Sequence, residues 1–205
     1  MANGKVITGY SKPFVATYSN SGTTVTYSGG IPLARGVNVN MSAESSDVKF
    51  YADNVQAESA VGTFTGGTVS LTVDGLKTAA RQLITGQTAT KSFGTGQDAQ
   101  SFDAYNAGTS APYVGLGFVV RYMEGGTTSY DAVVLTKCQF TQPSLEAATQ
   151  EENIEFQTTS LEATVMRDDT ADGTWKLLAE GLSTEALAEA AIQKVLTPAS
   201  TGTSG

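Results

Sequence analysis

Between Ala111 and Pro143 the sequence APYVGLGFVVRYMEGGTTSYDAVVLTKCQFTQP holds two runs rich in valine, leucine and aromatic residues, on either side of Gly125-Gly126. Runs of this kind joined by a glycine pair favour a β-hairpin, because a two-residue turn needs backbone angles that glycine reaches without steric cost. Pro143 lacks the backbone donor that a ladder requires, so the second strand ends before it. This segment commits the chain to a sheet, and the remainder supports the same class. Hydrophobic residues make up 40% but aromatic residues only 8%, and 22 glycines accompany abundant Thr, Ser and Val, a balance that favours strands and turns over long helices. The expected class is therefore mainly β with a minor helical part, and 205 residues suffice to bury a core without disulfide or metal.

Other segments follow the same logic. PFVATYS and TTVTYSGG flank Asn20-Ser21-Gly22 and predict an N-terminal hairpin. GVNVNMSAE, SDVKFYADN and VQAESAVG read as three short strands separated by turn residues. GGTVSLTVDG alternates, with Val69, Leu71 and Val73 on one face and Thr68, Ser70 and Thr72 on the other. Asp74 stands where an N-cap is expected, ahead of a three-turn amphipathic helix carrying Leu76, Ala79, Ala80, Leu83 and Ile84 and stopped by Gly86. Residues 88–111 lack periodicity and read as an extended loop with at most one weak strand. NIEFQTTSLEATVMRD and GTWKLLAE predict a second hairpin across Asp172-Gly173. Ser183 is the expected cap of a C-terminal helix with the stripe Leu187, Ala188, Ala191, Ile192, Val195 and Leu196 and with Glu185 suited to its N-terminal dipole. The expected organisation is one β domain over residues 1–180, a helix over 181–197 and a flexible tail over 198–205.

Several function classes lose their chemistry. With no histidine, the chain lacks the usual general base, Ser-His and Cys-His nucleophilic pairs and the commonest zinc ligand. Carboxylate-pair glycosidase chemistry stays open on composition. Cys138 lies in a strand segment and reads as a buried small hydrophobe. GTGQDA at Gly94–Ala99 imitates a dinucleotide fingerprint without the strand and helix that the fingerprint needs. In GLGF at Gly115–Phe118, the glycines read as sites of close approach or a bulge. Asp168-x-Thr170-x-Asp172-Gly173 begins like a calcium loop, but Ala179 stands where the bidentate Glu belongs, and a turn explains it better. The expectation is a non-enzymatic protein with no cofactor and no metal. The N-terminus has no basic-then-apolar leader, which implies synthesis in the cytosol.

Net charge is −8, and its excess lies in the second half: seven acids face seven bases up to Asp103, against thirteen acids and five bases from Ala104 onward. Most of it lies in the stretch from Glu146 to Glu189, through Glu151, Glu152, Glu155, Glu162, Asp168, Asp169, Asp172, Glu180 and Glu185. They form either a solvated face that keeps the protein soluble or a surface that must not adhere to nucleic acid.

In order, LARGVNVNMSAESSDVKFYADNVQAESA, GGTVSLTVDGL with its helix, APYVGLGFVVRYMEGG, YDAVVLTKCQFTQP and ENIEFQTTSLEATVMRDDTADGTWK resemble the major tail protein family of long-tailed, non-contractile bacteriophages, over about residues 5–178. The resemblance implies a β-sandwich or partial barrel with one flanking short helix and a C-terminal helix. It also implies assembly into stacked hexameric rings that form the conduit for viral DNA ejection. The implied partners are other copies of the chain and the tape-measure, tail-initiator and tail-terminator proteins. Double-stranded DNA would pass through without specific binding, and no membrane is involved. The implied location is the virion tail, after synthesis in the host cytoplasm. On this reading the cluster Glu146, Glu151, Glu152, Glu155, Glu162, Asp168, Asp169 and Asp172 either lines the lumen or faces outward. The competing reading is a non-catalytic β-sandwich binding module of carbohydrate or adhesin type, which requires a coplanar aromatic patch.

Overall fold

A computed structural model describes residues 4–52, 55–145, 149 and 157–197. Along the chain run β1 (Val6–Ser21), β2 (Thr24–Pro32), β3 (Gly36–Ala52), β4 (Val55–Val73), α1 (Thr78–Thr85), β5 (Thr90–Phe93), β6 (Gln100–Asp103), β7 (Tyr113–Glu124), β8 (Thr127–Phe140), β9 (Thr159–Met166), β10 (Lys176–Leu182) and α2 (Glu185–Leu196). Eight strands form one antiparallel sheet in the order β2-β1-β7-β8-β9-β4-β3, with β10 also paired to β8, and β5-β6 form a separate ribbon. The mainly β class with minor helices is as expected.

The two leading hairpins form where the turn chemistry places them. Ser21 pairs with Thr24 around Gly22 at φ 60°, and Glu124 pairs with Thr127 around Gly125 and Gly126 at φ 55° and 85°. The alternation within β7 and β8 then divides the core in two. Leu116, Phe118, Val120, Val133 and Leu135 point to an inner cluster shared with Val69, Leu71 and Val73 of β4, Leu161, Ala163 and Val165 of β9, and Ala80 and Ile84 of α1. Val119, Ala132 and Val134 point the other way, with Phe14 and Ala16 of β1, against Ala188, Ile192 and Leu196 of α2. Burial on both faces is why VGLGFVV reads as a continuous apolar run. Gly36 at the start of β3 returns beside β1, where a Cβ would overlap the Tyr10 ring. The sheet thus curls into a partial barrel around the inner cluster.

Gly115 and Gly117 answer the question raised by GLGF. A Cβ on Gly117 would overlap Ile192 Cγ2 and lie 3.2 Å from Leu196 Cδ1, so the glycines let α2 lie directly on β7. A register shift between Val114 and Leu116 adds the bulge.

Five expectations need correction. The three short strands proposed over 36–62 are two long ones, β3 and β4, because mutual pairing satisfies the backbone through a polar stretch that reads as turns in isolation. Asp74 does not cap α1: its carboxylate accepts the Arg35 N–H at 2.9 Å and the Arg35 Nε–H at 2.5 Å. The helix starts three residues later after Lys77 and runs eight residues, about two turns, to the left-handed Gly86. β9 and β10 do not form a hairpin, although Gly173 N–H does close a turn on Thr170 O. Both pair with β8, β9 along Lys137–Phe140 and β10 along Tyr130–Leu135, because β8 is 14 residues long and seats the two shorter strands in tandem. Between them Thr136 donates its N–H to Trp175 O and its hydroxyl to Thr174 O. The cap of α2 is Thr184, whose Oγ1 accepts from Leu187 N, one residue beyond Ser183. Finally, the loop proposed at 88–111 contains the β5-β6 ribbon, with GTGQDA as its tip. The tail at 198–205 and the strand proposed at Asn153 to Phe156 lie outside the described residues.

Because α2 rests on a glycine surface, Gly117→Ala is expected to lower stability by about 1–3 kcal/mol in chemical denaturation. An unchanged midpoint would mean that α2 is not seated on β7.

Candidate functional site

Of the acids proposed as a functional surface, Glu146, Glu151, Glu152 and Glu155 lie outside the described residues. Glu162 is exposed on the polar face of β9, opposite Ser70. Asp168, Asp169 and Asp172 do come together, in the loop between β9 and β10, where an open concavity of about 430 Å³ separates them from Asn20 and Gly22 of the β1-β2 turn. Two of the three have partners. Asp168 is buried and accepts from the Thr170 N–H at 3.1 Å and the Thr170 hydroxyl at 2.5 Å. Asp169 Oδ2 accepts from Lys137 Nζ and from the Tyr18 hydroxyl, each at 2.7 Å, while its N–H donates back to Tyr18 Oη at 3.0 Å. Among the described residues no group of three or more His, Cys, Asp or Glu side chains is arranged to hold a metal.

Lys137 therefore ties this loop to the sheet. Its ammonium lies 5.1 Å from the centre of the Tyr18 ring and 4.7 Å from that of Tyr113, both within cation–π range. The ammonium, and after it the Tyr18 hydroxyl, hold the Asp169 carboxyl below the usual carboxylate range. Burial first, and then the Asp169 hydrogen bond, push Tyr18 up to about 12. Cys138 is fully buried, as expected, and burial pushes its thiol well above the usual range.

At the opposite end of β7 the inner face opens. The Asp131 carboxylate is buried there and accepts from Lys5 Nζ at 2.9 and 2.7 Å and from the Gly181 N–H at 3.0 Å. Lys5 also stands 4.0 Å from the centre of the Tyr122 ring. Beside this pair an open concavity of about 540 Å³ is lined by Lys5, Glu124, Thr127, Ser129, Glu180 and Gly181. It forms the mouth of the partial barrel, because Asp131, Ser129 and Tyr122 share a face with Val120 and Val133.

Three further surfaces present groups suited to partners. Among the described residues β2 and β3 end the strand order, so each leaves one edge unpaired there. Among the described residues, Val6–Ser11 of β1 pair with β7 alone, since β2 joins at Phe14, and Val6 and Ile7 are exposed on this edge. β9 accompanies β4 only from Gly67 to Val73, whereas the β3-β4 ladder runs on to Ala52 opposite Val55, as a two-stranded ribbon. The β5-β6 ribbon also exposes Phe93 and Phe102, which meet edge-on at 5.7 Å between ring centres and 74° between planes. Sequence reasoning overlooked the mouth because Lys5 and Asp131 are 126 residues apart. The alternation Lys91, Phe93 and Gln100, Phe102 was the legible signal for the small ribbon.

No family model matches this chain, and a search of curated proteins finds no match. No helix among the described residues is long and apolar enough to cross a membrane.

Two outcomes follow from these geometries. A group whose folded pKa is lowered contributes stability above its unfolded value and loses it as pH falls through the folded one. The Asp169 tie is therefore complete at neutral pH and is released only in acid, below the usual carboxylate range. Carboxylate-resolved NMR titration should place Asp169 below free Asp, and Lys137→Met should move it up; identical titrations in both proteins would refute the tie. For the mouth, Lys5→Met leaves Asp131 with the Gly181 N–H as its one remaining donor among the described residues and is expected to cost about 1–3 kcal/mol in thermal or urea unfolding. The double variant Lys5→Met, Asp131→Leu should recover part of that loss; no recovery would count against charge desolvation as its cause.

Proposed function

We propose that this chain is a structural subunit that polymerises with copies of itself, as the tube-forming component of a phage tail. The observation that carries the reading is the β3-β4 ribbon. A two-stranded hairpin is marginal in water unless another surface covers it, yet this ribbon runs on well beyond its last contact with β9. The open edges of β2, β3 and the first half of β1 add unpaired backbone donors and acceptors, which a neighbouring copy would satisfy and which would otherwise invite aggregation. The family resemblance supplies the geometry of the assembly: hexameric rings, stacked into a tube. A chain at net −8 suits a conduit for DNA, since repeated negative charge repels a passing duplex and lowers friction. Within that assembly the acids at 162–172 serve as a non-adhesive surface, with Asp168 and Asp169 also structural. The binding-module reading gains little from Phe93 and Phe102, because rings at 74° do not offer the coplanar platform a sugar needs.

The test is negative-stain electron microscopy across a concentration series, comparing the intact chain with a variant in which residues 46–62 are replaced by a short glycine turn. Rings or hollow tubes are expected from the intact chain. The shortened chain should remain monomeric and folded, with a cooperative unfolding transition and a far-UV circular dichroism strand signal lowered only by the deleted ribbon. An intact chain that stays a monodisperse monomer at every concentration, even with a tail initiator added, would remove the tube reading and lead to a glycan-binding screen.

A further inference from the structure

The β5-β6 ribbon is two-faced, and neither face is covered by the rest of the described fold. Thr90 pairs with Asp103 and Ser92 with Ser101, placing small polar side chains on one face; Lys91 pairs with Phe102 and Phe93 with Gln100, placing both phenylalanines and the lysine on the other. That second face is exposed, with Phe93 at 60% and Phe102 at 57% of full accessibility. The base of the ribbon is nevertheless held firmly. Arg81 Nη2 pairs with Asp103 at 2.7 Å, Ala104 N–H donates to Ala89 O at 2.7 Å, and Gln87 exchanges hydrogen bonds with the Asn106 backbone. A ribbon anchored at its root and apolar on its open face is shaped to meet something else.

The complementary surface lies on the same molecule, out of its reach. The ribbon is rooted where the chain enters β7, since Gly86 packs against Ser110 and Pro112 just before Tyr113. The barrel mouth lies at the other end of the 12-residue β7, about 36 Å away. Glu124 and Glu180 in the mouth form no ion pair among the described residues, and neither does Lys91. Ile7, exposed at 64%, is opposite Tyr122 in the ladder and gives the mouth an apolar rim.

We infer that the Phe93/Phe102 face of one copy docks on the mouth of the next copy, with Lys91 received by Glu124 and Glu180. Patch and receptor sit at opposite ends of the strand axis, so the contact is head-to-tail and propagates without closing. Such a contact is small and weak alone, and it gains strength when several copies engage together. The inference deepens the self-assembly reading and rests on it: it assigns the axial contact to this ribbon and leaves lateral contacts to the sheet edges.

The experiment mixes a tagged Gln100→Cys copy, which keeps both phenylalanines because Gln100 only shares their face, with an untagged Thr127→Cys copy under mild oxidation; the native Cys138 is buried and does not compete. The expected product is a disulfide between positions 100 and 127, identified by peptide mass. Adding Lys91→Glu to the first copy should cut its yield at least about tenfold, and adding Glu124→Lys and Glu180→Lys to the second should restore it. Absence of the link, or a link indifferent to Lys91→Glu, overturns the docking. Wild-type protein imaged in parallel separates the two failures. Tubes without the link leave the self-assembly reading standing and this contact wrong, whereas monomers without the link remove both.

Discussion

The β7-β8 hairpin is buried on both faces, and the other layers take their positions from it. Its inner face supplies Leu116, Phe118, Val120, Val133 and Leu135 to the barrel interior, and its outer face carries α2. Apolar burial stabilises by about 25 cal/mol per Å², so a strand that buries alternate residues in opposite directions anchors two clusters with one backbone. The outer contact is possible only because two positions of β7 have no side chain. The GLGF pattern is therefore a packing requirement of the C-terminal helix.

From this hairpin the sheet grows unevenly. β8 is long enough to seat β9 and β10 along one edge, with Thr136 holding the crossing between them. β1 covers β7 fully but is itself covered by β2 over only part of its length. The long β3-β4 ribbon outruns its support on β9. Closed folds bury or blunt such edges, so their concentration in one chain, together with an apolar ribbon face, is the physical ground for reading the protein as one piece of a larger object.

Charge is arranged differently from its distribution along the chain. The sequence shows an acidic second half, but Asp131, Asp168 and Asp169 are engaged by Lys5, Thr170 and Lys137, so part of the excess is internal to the fold. Glu124, outside the acidic stretch of the sequence, and Glu180, within it, face the mouth, while Asp172 faces the concavity beside the β1-β2 turn. A count of acids along a chain does not separate structural carboxylates from available ones, because partners such as Lys5 come from remote segments.

Legible in the residues alone were the mainly β class, the hairpins at Gly22 and Gly125-Gly126, the buried face of Val69, Leu71 and Val73, the stop at Gly86, the burial of Cys138 and the close approach at Gly115 and Gly117. Each depends on local backbone chemistry or short-period alternation, which neighbouring residues carry in full. It took the folded sheet to show that three apparent strands are two, that β9 and β10 share β8 and do not pair, that Asp74 ties Arg35 instead of capping a helix, and that the barrel mouth exists. Those outcomes depend on which distant backbone or side chain satisfies a polar group. That choice is made by the curl of the sheet, which no local pattern encodes.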